Sequence, residues 1–265
     1  MSTLRSDFRY WGMAGITAVQ SLALLPPVIV TMIQKGGEHI AILAAALITV
    51  LLWDLVFALV RKRTLGFHGL TVALIVTVFV PAGLPLWQLV LTLSLGVVLG
   101  EHIFGGRGFG FLNPATVTLS LLVFSFPQVE LMPATREIAL ATLPGALMLL
   151  FFGLISWRII VGVVIGLVAL LLMDGQGVDV ALLAIATAFG LVFLTCDPTA
   201  AASTNPGRWI YGILAGALMV LFSAVADTIT PQAIVFAAFM GSVFAPLIDH
   251  LVVLANAARR RRRLA

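Results

Sequence analysis

Charge is scarce in this chain of 265 residues: Asp, Glu, Lys and Arg make up only 10% of it, against about 25% in an ordinary soluble domain. Apolar residues make up 61%. A water-soluble fold of this size cannot hide that much apolar surface, because a large share of its residues must face water. A soluble enzyme and a disordered chain are therefore excluded. Cysteine is almost absent. The single Cys196 rules out an internal disulfide, a Cys-rich metal cluster and a secreted disulfide scaffold. Walker-type phosphate loops, catalytic triads and Cys/His metal-ligand spacings are missing too, so neither an independent catalytic site nor a metal site is expected. No cleavable signal is evident either. The first apolar run starts near Phe8 and continues too far for a signal-peptide core.

What is present is a succession of apolar runs. Ten are read, over roughly 9–33, 38–60, 69–83, 86–104, 112–127, 139–155, 159–173, 180–196, 209–226 and 233–255. At about 20 residues per spanning helix, this predicts an all-α membrane protein of about ten transmembrane helices in one polytopic domain, 1–265. Several runs are short, which predicts tilted, broken or re-entrant helices buried among others. The basic residues test the count. With the N-terminus cytoplasmic, Arg5, Arg9, Arg61, Lys62, Arg63, Arg107, Arg158, Arg208 and Arg259 to Arg263 all fall inside. Only Lys35 and Arg136 fall outside, where the acids Glu38, Glu130, Glu137, Asp174, Asp179 and Asp227 gather. A missed span would scramble this split. Both termini are thus expected on the cytoplasmic side of a bacterial inner membrane. The net charge of +4 reads as a topology signal, with no nucleic-acid partner. The run Arg259 to Arg263 at the start of the tail 259–265 reads as an anchor on anionic lipid, or as a docking site for a partner.

Ten spans divide as five plus five, over 1–130 and 138–258, and an odd number of helices per half makes a repeat inverted across the membrane. Weak echoes support it. Pro81 to Trp87 follows span three as Asp197-Pro198 and Asn205 to Trp209 follow span eight. Asn113-Pro114 opens span five as Thr230-Pro231 opens span ten, each with a capping residue before a proline suited to the first turn.

Two inner stretches concentrate the unusual chemistry. One runs from Glu101 to Ala115 and carries Gly105, Gly106, Gly108 and Gly110 around Arg107. It is either a tight loop or a place where backbone approaches a ligand. The other runs from Leu194 to Trp209, with Asp197, Thr199, Ser203, Thr204 and Asn205. It is either a polar loop in which Asp197 caps a helix, or the second wall of a shared pocket. Asp54, inside span two, is an ion-pathway candidate by its position, or it pairs with Arg61 or Lys62. His68 follows the basic loop and is a candidate for lining the inner pocket. Asp249-His250 is read as the close of span ten, at the cytoplasmic surface. Cys196 is read as a small buried residue. Trp87, Trp157 and Trp209 are read as interface anchors. Composition and topology leave a carrier, a channel or an electron-transfer subunit.

At these stretches the sequence resembles the NqrB/RnfD family. The motifs are Phe104-Gly105-Gly106-Arg107-Gly108 with Phe111-Leu112-Asn113-Pro114-Ala115, then Asp197-Pro198 with Thr204 to Gly212, then Phe244 to His250. Pro81 to Trp87 and Ser156-Trp157-Arg158 fit as well. The resemblance implies two inverted five-helix repeats similar to urea transporters. It implies a flavin-binding membrane subunit of an Nqr- or Rnf-like complex that relays electrons, with ion movement coupled to it in those complexes. The cofactor is riboflavin or FMN. Gly105, Gly106, Asn113, Asp197, Thr199, Asn205 and Arg208 are the positions expected to line the flavin or shape its cavity. By the same resemblance Thr135 would be the position of a covalently held FMN, in a motif that departs from the family at Met132 and Pro133 and sets Glu130 one place too close. The long N-terminal extension of many members has no counterpart before span one. Expected partners are other membrane and peripheral subunits, among them an iron–sulfur or flavin reductase. The rival reading is a urea-transporter-like channel or carrier for a small solute or ion, without a redox cofactor.

Overall fold

Each apolar run folds into one helix, because a chain out of water must satisfy its backbone polar groups within the segment. The structure, a computed structural model, describes residues 13–62, 66–173, 179–223 and 229–264. Among these the helices are α1 (Met13–Lys35), α2 (Gly37–Arg61), α3 (Gly69–Phe79), α4 (Leu86–Gly100) and α5 (Pro114–Ser125), then α6 (Arg136–Phe151), α7 (Trp157–Met173), α8 (Val180–Gly190), α9 (Asn205–Phe222) and α10 (Pro231–Leu264). No strand occurs among the described residues. Arg5, Arg9, Arg63, Asp174 and Asp227, which carry part of the orientation argument, lie outside the described residues.

Four segments are long and apolar enough to cross a membrane alone: Gly15–Lys35, Gly37–Arg61, Leu86–Phe104 and Pro231–Ala258. By contrast, α3 and α8 have 11 residues each. At 1.5 Å per residue α3 rises about 16 Å, roughly half the hydrocarbon thickness, and α8, even with the π-turn that continues it to Thr195, stays short of a full span. Such half-helices are tolerable only where their ends are buried in protein, and polar groups from other elements serve those ends. At the end of α3, Met132 N–H donates to Phe79 O at 2.8 Å, and His39 Nε2 lies 3.1 Å from Val80 O. At the end of α8, the backbone widens into a π-turn over Leu191–Thr195. Tyr211 Oη donates to Thr195 O at 2.9 Å, and Asn113 Nδ2 lies 3.5 Å from Phe193 O. Helix starts follow the capping logic of the sequence. Asn113, Thr135, Asp179, Thr204 and Thr230 each accept a first-turn N–H.

Several helix pairings recur between α1–α5 and α6–α10, although α2 on α3 and α1 on α2 have no comparable counterpart among the described residues. α1 packs on α3 and α6 on α8, α2 on α4 and α7 on α9, α4 on α5 and α9 on α10, α3 on α5 and α8 on α10. Across the halves, α1 packs on α6 and α5 on α10. Two of these contacts are backbone-close. Pro27 lacks the N–H that would bond Ala23 O in α1, and Gly145 of α6 sits on that carbonyl: a Cβ there would lie 2.4 Å from it. Between α7 and α9, Gly162 and Gly166 face Gly212 and Gly216, two G-x-x-x-G stripes that let the helices touch along their backbones.

Candidate functional site

The start of α5 and the end of α8 meet in a buried polar network. Asn113 caps its own helix through Oδ1, which accepts Ala115 N–H at 2.8 Å. Its Nδ2 donates to Asp197 Oδ2 at 3.0 Å. Asp197 Oδ1 accepts both Thr199 N–H at 2.7 Å and Thr199 Oγ1–H at 2.6 Å. Asn113 and Asp197 lie 84 residues apart in sequence and are both buried. They form one wall of a narrow cleft shared with Gly106, Arg107 and Gly110. The two stretches of unusual chemistry therefore line one cleft. Its free volume is only about 20 Å³, room for about one water molecule. Arg107 spans it, donating to Gln20 Oε1 of α1 and, at 3.1 Å, to Thr71 Oγ1 of α3.

A second cavity, sharing Glu101, Gly106 and Arg107 with the first, has a volume of about 220 Å³. Asp54, Phe57 and Arg61 line it from α2, His68 from the loop before α3, and Glu101, His102, Gly105, Gly106 and Phe109 from the end of α4 and beyond. Asp54 pairs with neither Arg61 nor Lys62. Its Oδ2 accepts Gly69 N–H at 3.3 Å, and its Oδ1 lies 3.4 Å from His102 Nε2. Arg61 instead donates to the His102 carbonyl and covers the Phe57 ring, 5.0 Å from its centroid. The His102 ring stacks on Phe57 at 4.4 Å and 9°. His68 Nδ1 lies 2.7 Å from Thr17 Oγ1. Burial, helped by the charge of Arg107, holds His68 below the ordinary imidazole range, so it is neutral at neutral pH.

Asn205 and Arg208 lie in neither cavity. Asn205 is exposed at the first turn of α9, and Arg208 Nε donates to Ala202 O at 3.3 Å. The organiser of that loop is Asp249, which does not close α10: the helix runs on to Leu264. Asp249 accepts Ser203 N–H and Oγ–H on one oxygen, at 2.7 and 2.9 Å. Its other oxygen accepts Thr204 N–H and Oγ1–H at 3.0 and 2.5 Å. Asp249→Ala is expected to remove about 2 kcal/mol of stability, read as a lower thermal midpoint in detergent.

On the far loop Thr135 caps α6, accepting Ile138 N–H at 3.3 Å, and exchanges hydrogen bonds with Gln34 at 3.2 and 3.3 Å. Cys196 is buried and reduced. Trp87 packs edge-on against Phe126, and Trp157 against Trp209 at 5.6 Å.

The second cavity is the larger of the two. Its volume falls somewhat short of the roughly 300–1,000 Å³ of whole-ligand sites, so it suits one edge of a flat tricyclic ring. The Phe57 ring is taken by His102 and Arg61, but the backbone at Gly106 is open: an added Cβ would meet nothing within 4 Å. The narrow cleft does not suit a ring, because the polar atoms of Asn113 and Asp197 are spent on each other. Gln20 and Thr71 had no signal in the sequence beyond being polar in apolar runs, whereas His102 lay in the Gly-rich stretch and Asp249 in the last motif without their partners being readable. Glu101, an acid inside run 86–104, did carry one.

A sequence model of the NQR2, RnfD, RnfE family matches residues 12–136 and 130–258. Among curated proteins the chain is 32% identical over 283 residues to the B subunit of the Na(+)-translocating NADH-quinone reductase of Azotobacter vinelandii, covering 86% of this chain and 70% of that protein. The equivalent protein of Ectopseudomonas mendocina is 30% identical over 285 residues, with the same coverage. That of Yersinia pestis is 32% identical over 270 residues, covering 80% of this chain and 65% of that protein.

Proposed function

The chain belongs to the NQR2, RnfD, RnfE family, and from that premise we propose that it is the flavin-carrying membrane subunit of an Nqr- or Rnf-like electron-transport assembly. The observation that carries this reading is the family match, which extends over nearly all the described helices. The motif residues Gly105, Gly106, Asn113, Asp197 and Thr199 gather at two adjoining cavities, which supports a cofactor there.

The residues would divide the work. The open backbone at Gly106, with Gly105 and Phe109 beside it, would hold the ring edge. The Asn113–Asp197–Thr199 network would hold the wall behind it. Arg107, with five N–H donors, would keep some for a ligand after serving Gln20 and Thr71. A flavin bound here would supply one- and two-electron transfer. A second flavin, an FMN esterified to Thr135, would stand at the opposite loop. Asn205 and Arg208 would act from outside the cavity, by shaping the loop that Asp197 begins.

The two halves, 1–130 and 138–258, would be inverted repeats. The corresponding pairings of α1 to α5 and α6 to α10 support this, as does a family match that falls in two segments meeting in the loop before α6. The orientation would place both termini on the cytoplasmic side of a bacterial inner membrane. The helical run Arg259–Arg263 would then lie beside anionic lipid. An iron–sulfur or flavin reductase would be the partner that delivers or removes electrons, with ion movement coupled to the transfer.

The test is flavin content of the detergent-purified protein, expressed with an FMN transferase. The expected result is a flavin spectrum in the native protein. Part of the flavin should survive denaturation in the wild type and none in Thr135→Ala. Flavin that is wholly released on denaturation would remove the Thr135 site and leave the inner cavity. Absence of flavin in both forms would overturn the electron-relay reading and favour a solute channel.

A further inference from the structure

The second cavity holds more ionisable chemistry than a ring edge needs. Asp54 and Glu101 are 6% and 5% exposed, and both line it. Carboxyl groups this deep in an apolar span are costly unless they are used or paired. His102 is 6% exposed, and its Nε2 has no hydrogen-bond partner. Asp54 Oδ1, at 3.4 Å, is near but out of line. Among the described residues no hydrogen bond or ion pair reaches the Glu101 side chain.

We propose that this cavity is a proton-exchange site, in which Glu101 and the facing Asp54–His102 pair take up and release H⁺ with the solution to which the cavity opens. The groups that face one another there come from every surrounding element. They are Asp54 and Arg61 of α2, His68 ahead of α3, Glu101 and His102 at the end of α4, Arg107 of the Gly-rich loop, and Asp197 beyond Glu101. Two guanidinium groups, Arg61 and Arg107, face three carboxyl groups, Asp54, Glu101 and Asp197, which leaves at most one net negative charge to attract a metal cation. A hard cation also needs several oxygen ligands at once. Among the described residues no group of three or more His, Cys, Asp or Glu is arranged to hold a metal ion. A proton needs only one lone pair. Uptake forms one O–H bond on a carboxylate oxygen, or one N–H bond on His102 Nε2, and turns hydronium into water. Release reverses this, and no oxidant or other reactant takes part. His102 is held for the exchange rather than for packing alone. Phe57 and the Arg61 bond to the His102 carbonyl fix the ring, while its Nε2 stays uncommitted.

This inference goes beyond the electron-relay reading and stands whether or not flavin is bound. It is tested by pH-difference infrared spectroscopy of the full chain in phosphatidylethanolamine and phosphatidylglycerol vesicles. The expected result is a carboxylic acid C=O band that titrates with pH and moves to lower frequency in D₂O. The band should be lost in Glu101→Gln. Its midpoint should shift in His102→Gln, which leaves both carboxyl groups in place and serves if the Glu101 variant fails to fold. Exchanging K⁺ for Na⁺ at constant ionic strength should leave the midpoint unmoved. A midpoint that follows Na⁺ concentration would overturn the proposal in favour of a sodium site. So would a spectrum without a titrating band that responds to Glu101 or His102. The flavin measurement fails or succeeds separately, since it reads the cofactor and not the carboxyl band.

Discussion

Gly216→Leu should abolish folding of the α7–α9 unit, and Gly216→Ala should already be severe. A Cβ at Gly216 would lie 2.2 Å from Val163 O and 2.9 Å from Leu167 N. Both are backbone atoms of the facing helix, so no rotamer change relieves the contact. The helices must separate, and every contact along the stripe loosens with them: Gly162 on Gly212, Gly166 on Ile213, Gly212 on Ile159. Overpacking a side chain in a tight core costs roughly 1–3 kcal/mol. A backbone clash on an axis with three further close contacts is expected to exceed that, by about 2 kcal/mol or more for Leu. The measurement is the yield of monodisperse protein after detergent extraction, with the thermal midpoint of what survives. Gly37→Ala is the control. Gly37 stands in open space, with nothing within 4 Å of an added Cβ, and the change should leave the midpoint unchanged or slightly raised.

The second large effect is expected at the Asn113–Asp197 contact. Asp197→Ala removes the acceptor of three donors, Asn113 Nδ2 and the N–H and Oγ1–H of Thr199. The Thr199 donors are near the surface and can turn to water. The Asn113 donor is buried and is left with the weak 3.5 Å approach to Phe193 O. A loss of about 3 kcal/mol follows from one buried unsatisfied donor and two lost bonds. Asp197→Asn tests the direction of the bond. It keeps an oxygen for Thr199 but turns an NH₂ toward the NH₂ of Asn113, so it should destabilise although its volume is nearly the same. The double variant Asn113→Asp with Asp197→Asn restores one donor facing one acceptor, and keeps an oxygen to cap Ala115. It should recover a substantial part of the lost thermal midpoint, a coupling that a double-mutant cycle reads directly. Independent additive losses would show that the two residues do not act as a pair.

These two sites differ in how much of them can be read from the chain alone. Asn113-Pro114 announces a helix start, and the structure places Asn113 as the cap of α5. That its other amide atom meets Asp197, 84 residues away, is a fact of tertiary packing. The G-x-x-x-G spacings of α7 and α9 stand in the sequence, but nothing local says that the two stripes face each other. Asp54 is visible as an acid in an apolar run. Its neighbours are Gly69 N–H and His102, not the nearby Arg61 and Lys62, because the Arg61 side chain turns to the His102 carbonyl. The apolar pattern puts Asp249 at the end of its span, yet the helix runs on, and the carboxylate serves a loop 45 and 46 residues earlier. The short third and eighth runs are readable as broken or re-entrant helices. The π-turn that ends one of them, and the groups that cap both, are not.

The sequence by itself determined that the chain is helical and built for a membrane, roughly where its helices lie, and that Asn113 and Thr230 stand at helix starts. Those properties are local: the length of an apolar run, a proline after a capping side chain, a Gly-rich break. They need no knowledge of distant neighbours, because in an apolar medium each helix satisfies its own backbone. Only the tertiary structure decided which polar residues share a cavity, which spend their hydrogen bonds on one another, and which, like His102 and Glu101, keep them uncommitted. Those outcomes depend on pairs far apart in the chain, and the cost of burying a polar group is settled only when its partner arrives.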